Sequence, residues 1–225
     1  MAKNCPYGGK ALYIDCLECE DKLCRNKSIA CIGIDQSYKR TGISISVDGK
    51  IKAITSIDLR KIKTKTEKRI AVKNHLQNVI NVCRRKGIKE IYCIYERIRL
   101  RSQGFISMNY IQSISGLNTT IIDTCFENDI PVFSADTRCW KAQVVGTSKP
   151  QNNKYGVSPE KWPTVKWVIQ QGKGKKILLE VQGHRKSGTF MKNNKKYEYN
   201  DDAADSAAIS MFWFTGKHEK LKPES

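Results

Sequence analysis

Two nearly unbroken apolar runs that each end in a carboxylate constrain the fold of this sequence most strongly. The first reads ACIGID and ends at Asp35, and the second reads IYCIYE and ends at Glu96. The second run is typical of a central strand that is covered on both faces of a sheet. Helical patterns alternate with strands after the first run, so the sequence predicts an α/β fold around a mixed sheet.

The segments around these runs predict the order of the elements. TGISISVDG and KIKAITSIDL continue the first strand into a three-stranded meander with a turn at 48–50. A helical period over 66–87 ends at Gly87, and its apolar positions are Ile70, Leu76, Val79, Ile80 and Cys83. Further helices are expected over about 104–128, in two stretches opened by Thr137 and Ser158, and in DDAADSAAISMFWF. IPVFSAD is expected to form a short strand.

Charge and length restrict the class of partner. The chain has 225 residues and a net charge of +18, which favours a polyanionic partner and above all nucleic acid. No apolar stretch approaches the length of a spanning helix, and the N-terminus lacks the apolar core of a signal peptide. We therefore expect a cytosolic protein with no membrane partner. Its expected parts are a knuckle over 1–28, one domain over 29–216 with a basic insertion at 172–200, and a disordered tail over 217–225.

Nine cysteines are many for a reducing compartment, where clustered thiols more often bind a metal than form disulfides. Four of them follow the spacing Cys-x10-Cys-x2-Cys-x4-Cys and are Cys5, Cys16, Cys19 and Cys24. This spacing predicts a structural Zn²⁺ knuckle, with an iron–sulfur cluster or free thiols as alternatives and Cys31 as a substitute ligand. The other cysteines are expected to be small buried apolar residues, namely Cys31, Cys83, Cys93, Cys125 and Cys139.

The acidic residues predict a cation site. Asp202 and Asp205 are three residues apart, so a helix places both on the stripe that packs against the core. Unpaired carboxylates there are costly unless a cation neutralises them. Together with Asp35 and Glu96 they would supply oxygen ligands for one or two Mg²⁺ or Mn²⁺ ions at one sheet edge, as in two-metal phosphodiester hydrolysis.

Each acid also has a simpler interpretation. Asp202 can cap its helix and Asp35 can open a turn, while Glu96 can pair with a neighbouring arginine. The four acids in this strand and helix order, on a strongly basic chain, favour the cation site over these separate explanations.

Three motifs resemble a known family. IGIDQSYKRTGISI is similar to the first motif of the RuvC-type Holliday junction resolvases of the RNase H-like superfamily, IYCIYE to their second acidic strand, and DDAADSAAIS to their closing helix. DTRCWKAQVVGTSK is similar to a further segment of that family, and the resemblance spans about 30–216. It implies an RNase H-like mixed sheet flanked by helices. It also implies that Asp35, Glu96, Asp202 and Asp205 bind the metal ions and that Asp201 is a bystander.

The resemblance further implies Mg²⁺-dependent paired nicking of four-way DNA junctions by a homodimer, with flaps and forks as further substrates. Gln36 and Ser37 replace the Pro-Gly of the family after the first acid, a change expected to alter only the turn. The aromatic wedge that follows the second acid in the family is replaced by RIRLRSQGF. The small chain with an added knuckle resembles the phage-encoded branch.

Basic residues beside the acids and in the insertion are the candidate DNA contacts. They are Arg97, Arg99, Arg101, Lys141, Lys173, Lys175, Lys176, Arg185 and Lys186. The sequence leaves three other functions open. The first is a different RNase H-like nuclease, acting on RNA–DNA hybrids or as an exonuclease. The others are a non-catalytic DNA-binding protein and a basic zinc protein that recruits replication partners.

Overall fold

The sheet begins with an antiparallel meander, as the sequence predicts. The computed structural model describes residues 28–97, 108–153, 157–173, 178–180, 189–192, 195–221 and 223–224. Strands β1 (Ile29–Asp35), β2 (Arg40–Val47) and β3 (Lys50–Asp58) pair in succession. Asp48 and Gly49 form the turn between β2 and β3 with positive φ angles of 49° and 69°, a conformation that tight hairpins require.

Two crossover units complete the main sheet. Helix α1 (Lys65–Arg85) leads to β4 (Glu90–Arg97), and helix α2 (Met108–Phe126) leads to β5 (Val132–Asp136). The strand order is β3-β2-β1-β4-β5, with β4 parallel to both β1 and β5. The carboxyl ends of β1, β4 and β5 therefore lie at one edge of the sheet, where Asp35 and Glu96 were predicted to meet.

The chain after β5 forms shorter helical segments. Helix α3 (Thr137–Trp140) continues into a π-helical segment, and α4 (Trp162–Val168) continues into another that ends at Lys173. The helix expected to open at Ser158 begins four residues later, at Trp162, where Pro163 occupies the first turn. Proline suits this position because its missing N–H would have no intrahelical partner there.

The two faces of the sheet have separate cores. Helices α1 and α2 cover one face, where Leu76 and Leu117 pack against Ile32 of β1. The predicted apolar stripe of α1 is confirmed except for Ile70, which is 51% exposed. Helix α5 (Asp201–Phe212) covers the other face, so β1 is buried on both sides.

Hydroxyl pairs fix α5 on the sheet. Ser44 on β2 bonds to Ser206 at 2.6 Å, and Ser46 bonds to Ser210 at the same distance. All four side chains are buried, so each hydroxyl would lose a partner if the helix moved along the sheet. These pairs set the position of the acids at the start of α5.

The basic insertion contains a second sheet. Strands β6 (Leu178–Glu180), β7 (Thr189–Lys192) and β8 (Lys195–Tyr199) form an antiparallel sheet in the order β6-β8-β7. The insertion, for which the sequence leaves a hairpin or a loop open, therefore contains three paired strands. Tyr199 is buried against α4 and α5, which anchors the end of β8 immediately before the first acids of α5.

The predicted disorder of the C-terminal tail is wrong for its described residues. Residues 217–220 form a short 3₁₀ helix, Pro223 bridges to Phe133, and the Glu224 N–H donates to the Val132 carbonyl at 2.9 Å. These contacts cover the open edge of β5, which would otherwise expose unpaired backbone groups.

Four of the five scattered cysteines are buried as predicted, whereas Cys139 is exposed. Cys31 lies inside β1 with its thiol pKa raised well above the ordinary value by burial. The four knuckle cysteines fall outside the described residues. Among the helices of the described ranges, none is long and apolar enough to cross a membrane.

Candidate active site

Asp35 and Glu96 are brought together by parallel strand pairing. The parallel pairing of β1 and β4 runs as far as Ile34 and Tyr95, so the next residue on each strand is one of the two acids. Both acids follow the alternation of their strands onto the face that α5 covers. Asp35 is only 6% exposed, which makes it a nearly buried carboxylate rather than a simple turn residue.

Helix α5 supplies the other two predicted acids. Its cap is Asn200, whose side chain accepts from the Ala203 N–H at 3.0 Å, so Asp202 does not perform the capping role. Asp202 lies in the first turn, and Asp205 follows one turn later and is 3% exposed. Both carboxylates are thus held on a short, firmly packed helix.

Two glycines allow α5 to approach the strands closely. Gly42 is the β2 partner of Asp35, and a Cβ atom there would lie within 3.0 Å of the Asp202 carbonyl group. A Cβ atom at Gly33 would meet the backbone of Ser206 and Ser210 equally closely. The missing side chains therefore bring the start of α5 next to the carboxyl end of β1.

Lys161 is a site residue that the sequence analysis missed. Its Nζ lies 3.1 Å from Asp201 and 3.2 Å from Asp205, so Asp201, expected to take no part in metal binding, is an ion-pair partner of Lys161. Burial alone would lower the Lys161 pKa, but Asp205, Asp35 and Asp201 outweigh that effect and raise it. Lys161 directly precedes α4, and a positive charge at the N-terminal end of a helix interacts unfavourably with the helix dipole. This unfavourable position is the sequence feature that could have indicated a special role for Lys161.

The acids experience excess negative charge despite Lys161. Burial, then Glu96 and Asp205, raise the pKa of Asp35 well above its usual value. Burial and then Asp201 raise the pKa of Asp202 to about 7. Burial also raises the pKa of Glu96, although the Thr137 hydroxyl bonded to it acts in the opposite direction.

This donor set fits a hard divalent cation. All the charged donors are carboxylate oxygens, which Mg²⁺ and Mn²⁺ prefer. The Oδ1 atom of Asp205 is buried and has no hydrogen-bond partner among the described residues, so this oxygen is available as a ligand. Within the described ranges no three His, Cys, Asp or Glu side chains converge closely enough to hold a metal ion; the acids are arranged around Lys161 instead.

The predicted DNA contacts have different surroundings. Arg97 is exposed and donates to Ser134 Oγ at 3.0 and 2.8 Å, so it does not pair with Glu96. Lys141 is buried, with its Nζ 3.4 Å from the Glu160 carbonyl oxygen, and Lys173 is partly exposed. The others fall outside the described residues and are Arg99, Arg101, Lys175, Lys176, Arg185 and Lys186. The DNA-contact role of the whole set stays a prediction.

The sheet order, the flanking helices and the acids at the strand ends define an RNase H-like architecture, as predicted. RuvC from Thermus thermophilus in complex with a Holliday junction substrate has 11% sequence identity and a TM-score of 0.53, over 87% of this chain and 99% of that one. A second structure of Thermus thermophilus RuvC gives 13% identity and a TM-score of 0.52, over 87% and 100% of the two chains. The yeast mitochondrial Holliday junction resolvase Ydc2 gives 16% identity and a TM-score of 0.46, over 82% and 77%.

The sequence matches no protein-family model and no curated protein. The structural similarity covers nearly the whole of RuvC, and the chain therefore has the RuvC fold.

Proposed function

We propose that this protein is a metal-dependent endonuclease that resolves four-way DNA junctions, and other branched DNA, by paired nicks. The observation that carries the proposal is the gathering of Asp35, Glu96, Asp202 and Asp205 around one lysine at the carboxyl end of β1 and β4. The fold supports it, because RuvC is described with a Holliday junction substrate. The net charge of +18 supports a DNA partner.

Each site residue has a proposed task. The four carboxylates would hold two Mg²⁺ or Mn²⁺ ions, and the family resemblance implies that Asp35 is the ligand shared by both. Bound in pairs, such ions activate water and stabilise the leaving oxygen of a phosphodiester. Lys161 forms an ion pair with the buried Asp205 and offsets part of the negative charge of the acids.

The remaining parts of the chain are proposed to act on the substrate as a whole. A homodimer would present two sites to two opposed strands, since a two-fold junction suits a two-fold enzyme. The basic residues beside the site and in the insertion would contact phosphates. The segment over 1–28 would fold around Zn²⁺ bound by Cys5, Cys16, Cys19 and Cys24, as a unit separate from the nuclease domain over 29–216. A phage-infected bacterial cytoplasm is the proposed setting.

The test uses an immobile four-way DNA junction labelled on each strand in turn, with about 10 mM Mg²⁺, a usual excess for weakly held Mg²⁺. Wild type is compared with D35N and D205N, and with D123N as a matched control because Asp123 is exposed on α2. We expect symmetric cuts on two opposed strands by wild type and D123N. D35N and D205N should bind the junction without cutting it.

Other outcomes identify the rival functions. Cleavage of an RNA–DNA hybrid but not of the junction indicates a different RNase H-like specificity, and a ladder of shortened ends indicates an exonuclease. Tight junction binding with no cuts in Mg²⁺ or Mn²⁺ refutes the nuclease and leaves a DNA-binding protein. Binding that survives loss of all four acids but not of Cys16 indicates a zinc-dependent recruitment role.

A further inference from the structure

Glu96 is held at two points by residues outside the set of four acids. The Thr137 hydroxyl donates to Oε1 of the Glu96 carboxylate. The Gln36 Nε2 donates to the Glu96 backbone carbonyl at 2.5 Å. Gln36 directly follows β1 and Thr137 directly follows β5, and these are the two strands that flank β4. The carboxyl end of β4 is therefore tied on both sides.

We propose that Thr137 is a positioning residue that fixes the carboxylate of Glu96 for cation binding, and that Gln36 fixes the backbone beneath it. This inference rests on the proposed function, since it assigns both residues a role in the same site. The proposed roles belong to the Gln36 amide and the Thr137 hydroxyl, and not to the acids that these groups orient.

The carboxylate of Glu96 needs such a restraint. It is partly exposed, and its neighbours Asp35 and Asp205 are buried acids that raise the local negative potential. A glutamate side chain that is free to rotate lowers this repulsion by turning towards solvent. The hydroxyl bond to Oε1 opposes that rotation and keeps the carboxylate beside the other acids.

The start of α3 leaves the Thr137 hydroxyl available for this task. Hydroxyl side chains at helix starts commonly cap the backbone, but here the preceding Asp136 accepts from the Arg138 N–H at 2.9 Å. Thr137 is the first helical residue, and its hydroxyl therefore extends to β4 instead of to its own helix. Residues that orient metal-binding side chains in this way change metal affinity when they are removed.

Gln36 does more than alter the turn after β1, because its side chain also bonds to β4. Gln36 is buried, with 6% of the residue exposed. Its amide nitrogen bonds across to β4, while its Oε1 has no hydrogen-bond partner among the described residues. The partner of Nε2 is a carbonyl oxygen, which fixes the orientation of the amide. Burying an amide with part of its hydrogen-bonding capacity unused costs free energy. The bond from Nε2 to the Glu96 carbonyl offsets part of this cost and ties β4 to the end of β1.

The test measures Mn²⁺ binding to the full-length protein by calorimetry, with Zn²⁺ retained throughout purification. T137V removes the hydroxyl and keeps the branched shape, whereas T137S keeps the hydroxyl. T119V is the matched control, because the Thr119 hydroxyl donates to the Ser115 carbonyl within α2 at 3.0 Å and bonds to no other residue in the described part of the chain. D205N serves as the reference for a damaged cation site.

We expect T137V to weaken Mn²⁺ binding about tenfold, within the range measured when residues that orient metal ligands are lost. T137S and T119V should stay within about twofold of wild type on the same scale, and Q36L should weaken binding about as much as T137V. Junction cutting should fall in parallel. Should T137V fail to fold, T137A is compared with T137S in the same assay.

Unchanged Mn²⁺ affinity in T137V, or equal loss in T137S, overturns the assignment of Thr137. Unchanged affinity in Q36L overturns the assignment of Gln36. Failure of the proposed function looks different, because wild type and D205N would then bind Mn²⁺ equally poorly and neither would cut DNA.

Discussion

Removing the charge of Asp202 should stabilise the metal-free protein. The pKa of this carboxyl is raised from 3.8 to about 7, chiefly by burial and by Asp201, so its ionised form is disfavoured in the folded state. A shift of about three pKa units corresponds to at most about 4 kcal/mol at pH 8. The side chain keeps some contact with water, and we expect D202N to be more stable than wild type by about 2 kcal/mol.

The sign of this effect depends on pH. Well below pH 3.8 the carboxyl is protonated in both the folded and unfolded states, so wild type and D202N should be equally stable there. Between pH 4 and pH 7 the unfolded state loses its proton first, and the wild-type protein becomes progressively less stable than the variant. Above pH 7 the full difference should be present.

Thermal unfolding in EDTA at pH 4.5 and pH 8 measures the difference. For a domain of this size about 2 kcal/mol corresponds to an increase in Tm of about 4–8 °C at pH 8. D123N, which removes an exposed charge, should leave Tm nearly unchanged. A D202N protein that is no more stable than wild type at pH 8 would show that burial and Asp201 do not disfavour the charge of Asp202, and the electrostatic argument for a cation beside this carboxylate would be lost.

Two further substitutions test the same site. K161M should lower the unfolding free energy of the metal-free protein, measured in urea, by about 2 kcal/mol, because it leaves the buried Asp205 without its ion-pair partner. Added Mg²⁺ should restore more stability to K161M than to wild type. G42A should abolish junction cutting and lower the unfolding free energy by about 1–3 kcal/mol, because its Cβ displaces the start of α5. Unchanged cutting by G42A would contradict the close approach of Asp202 to β2.

The sequence predicted those parts of the site that depend on local pattern. Asp35 and Glu96 end apolar runs, and strand pairing then makes them neighbours. Asp202 and Asp205 have the spacing of one helix face, so their common direction follows from the helical repeat. These inferences need only the periodicity of each element and the parallel order of β1 and β4.

Lys161 could not be predicted in the same way, because its contact with Asp205 depends on how α4 packs on α5 across 44 residues of sequence. The same holds for Thr137, whose hydroxyl reaches Glu96 only because β5 lies beside β4. The third strand of the insertion and the bridge from Pro223 to Phe133 are likewise long-range pairings. Apart from the unfavourable position of Lys161 at the start of a helix, no local pattern distinguishes these residues from an ordinary surface lysine, threonine or proline.

The chain has a positive net charge, whereas the acids of the candidate site are negative, and this difference predicts the order in which DNA and metal ions bind. A chain of net charge +18 attracts DNA without any metal ion, whereas Lys161 offsets only part of the charge of the acids around it. A phosphate that approaches these acids is repelled until divalent cations neutralise them. Binding of the junction arms should therefore persist in EDTA and weaken with salt, while entry of the scissile phosphate, and hence cutting, should require the cations.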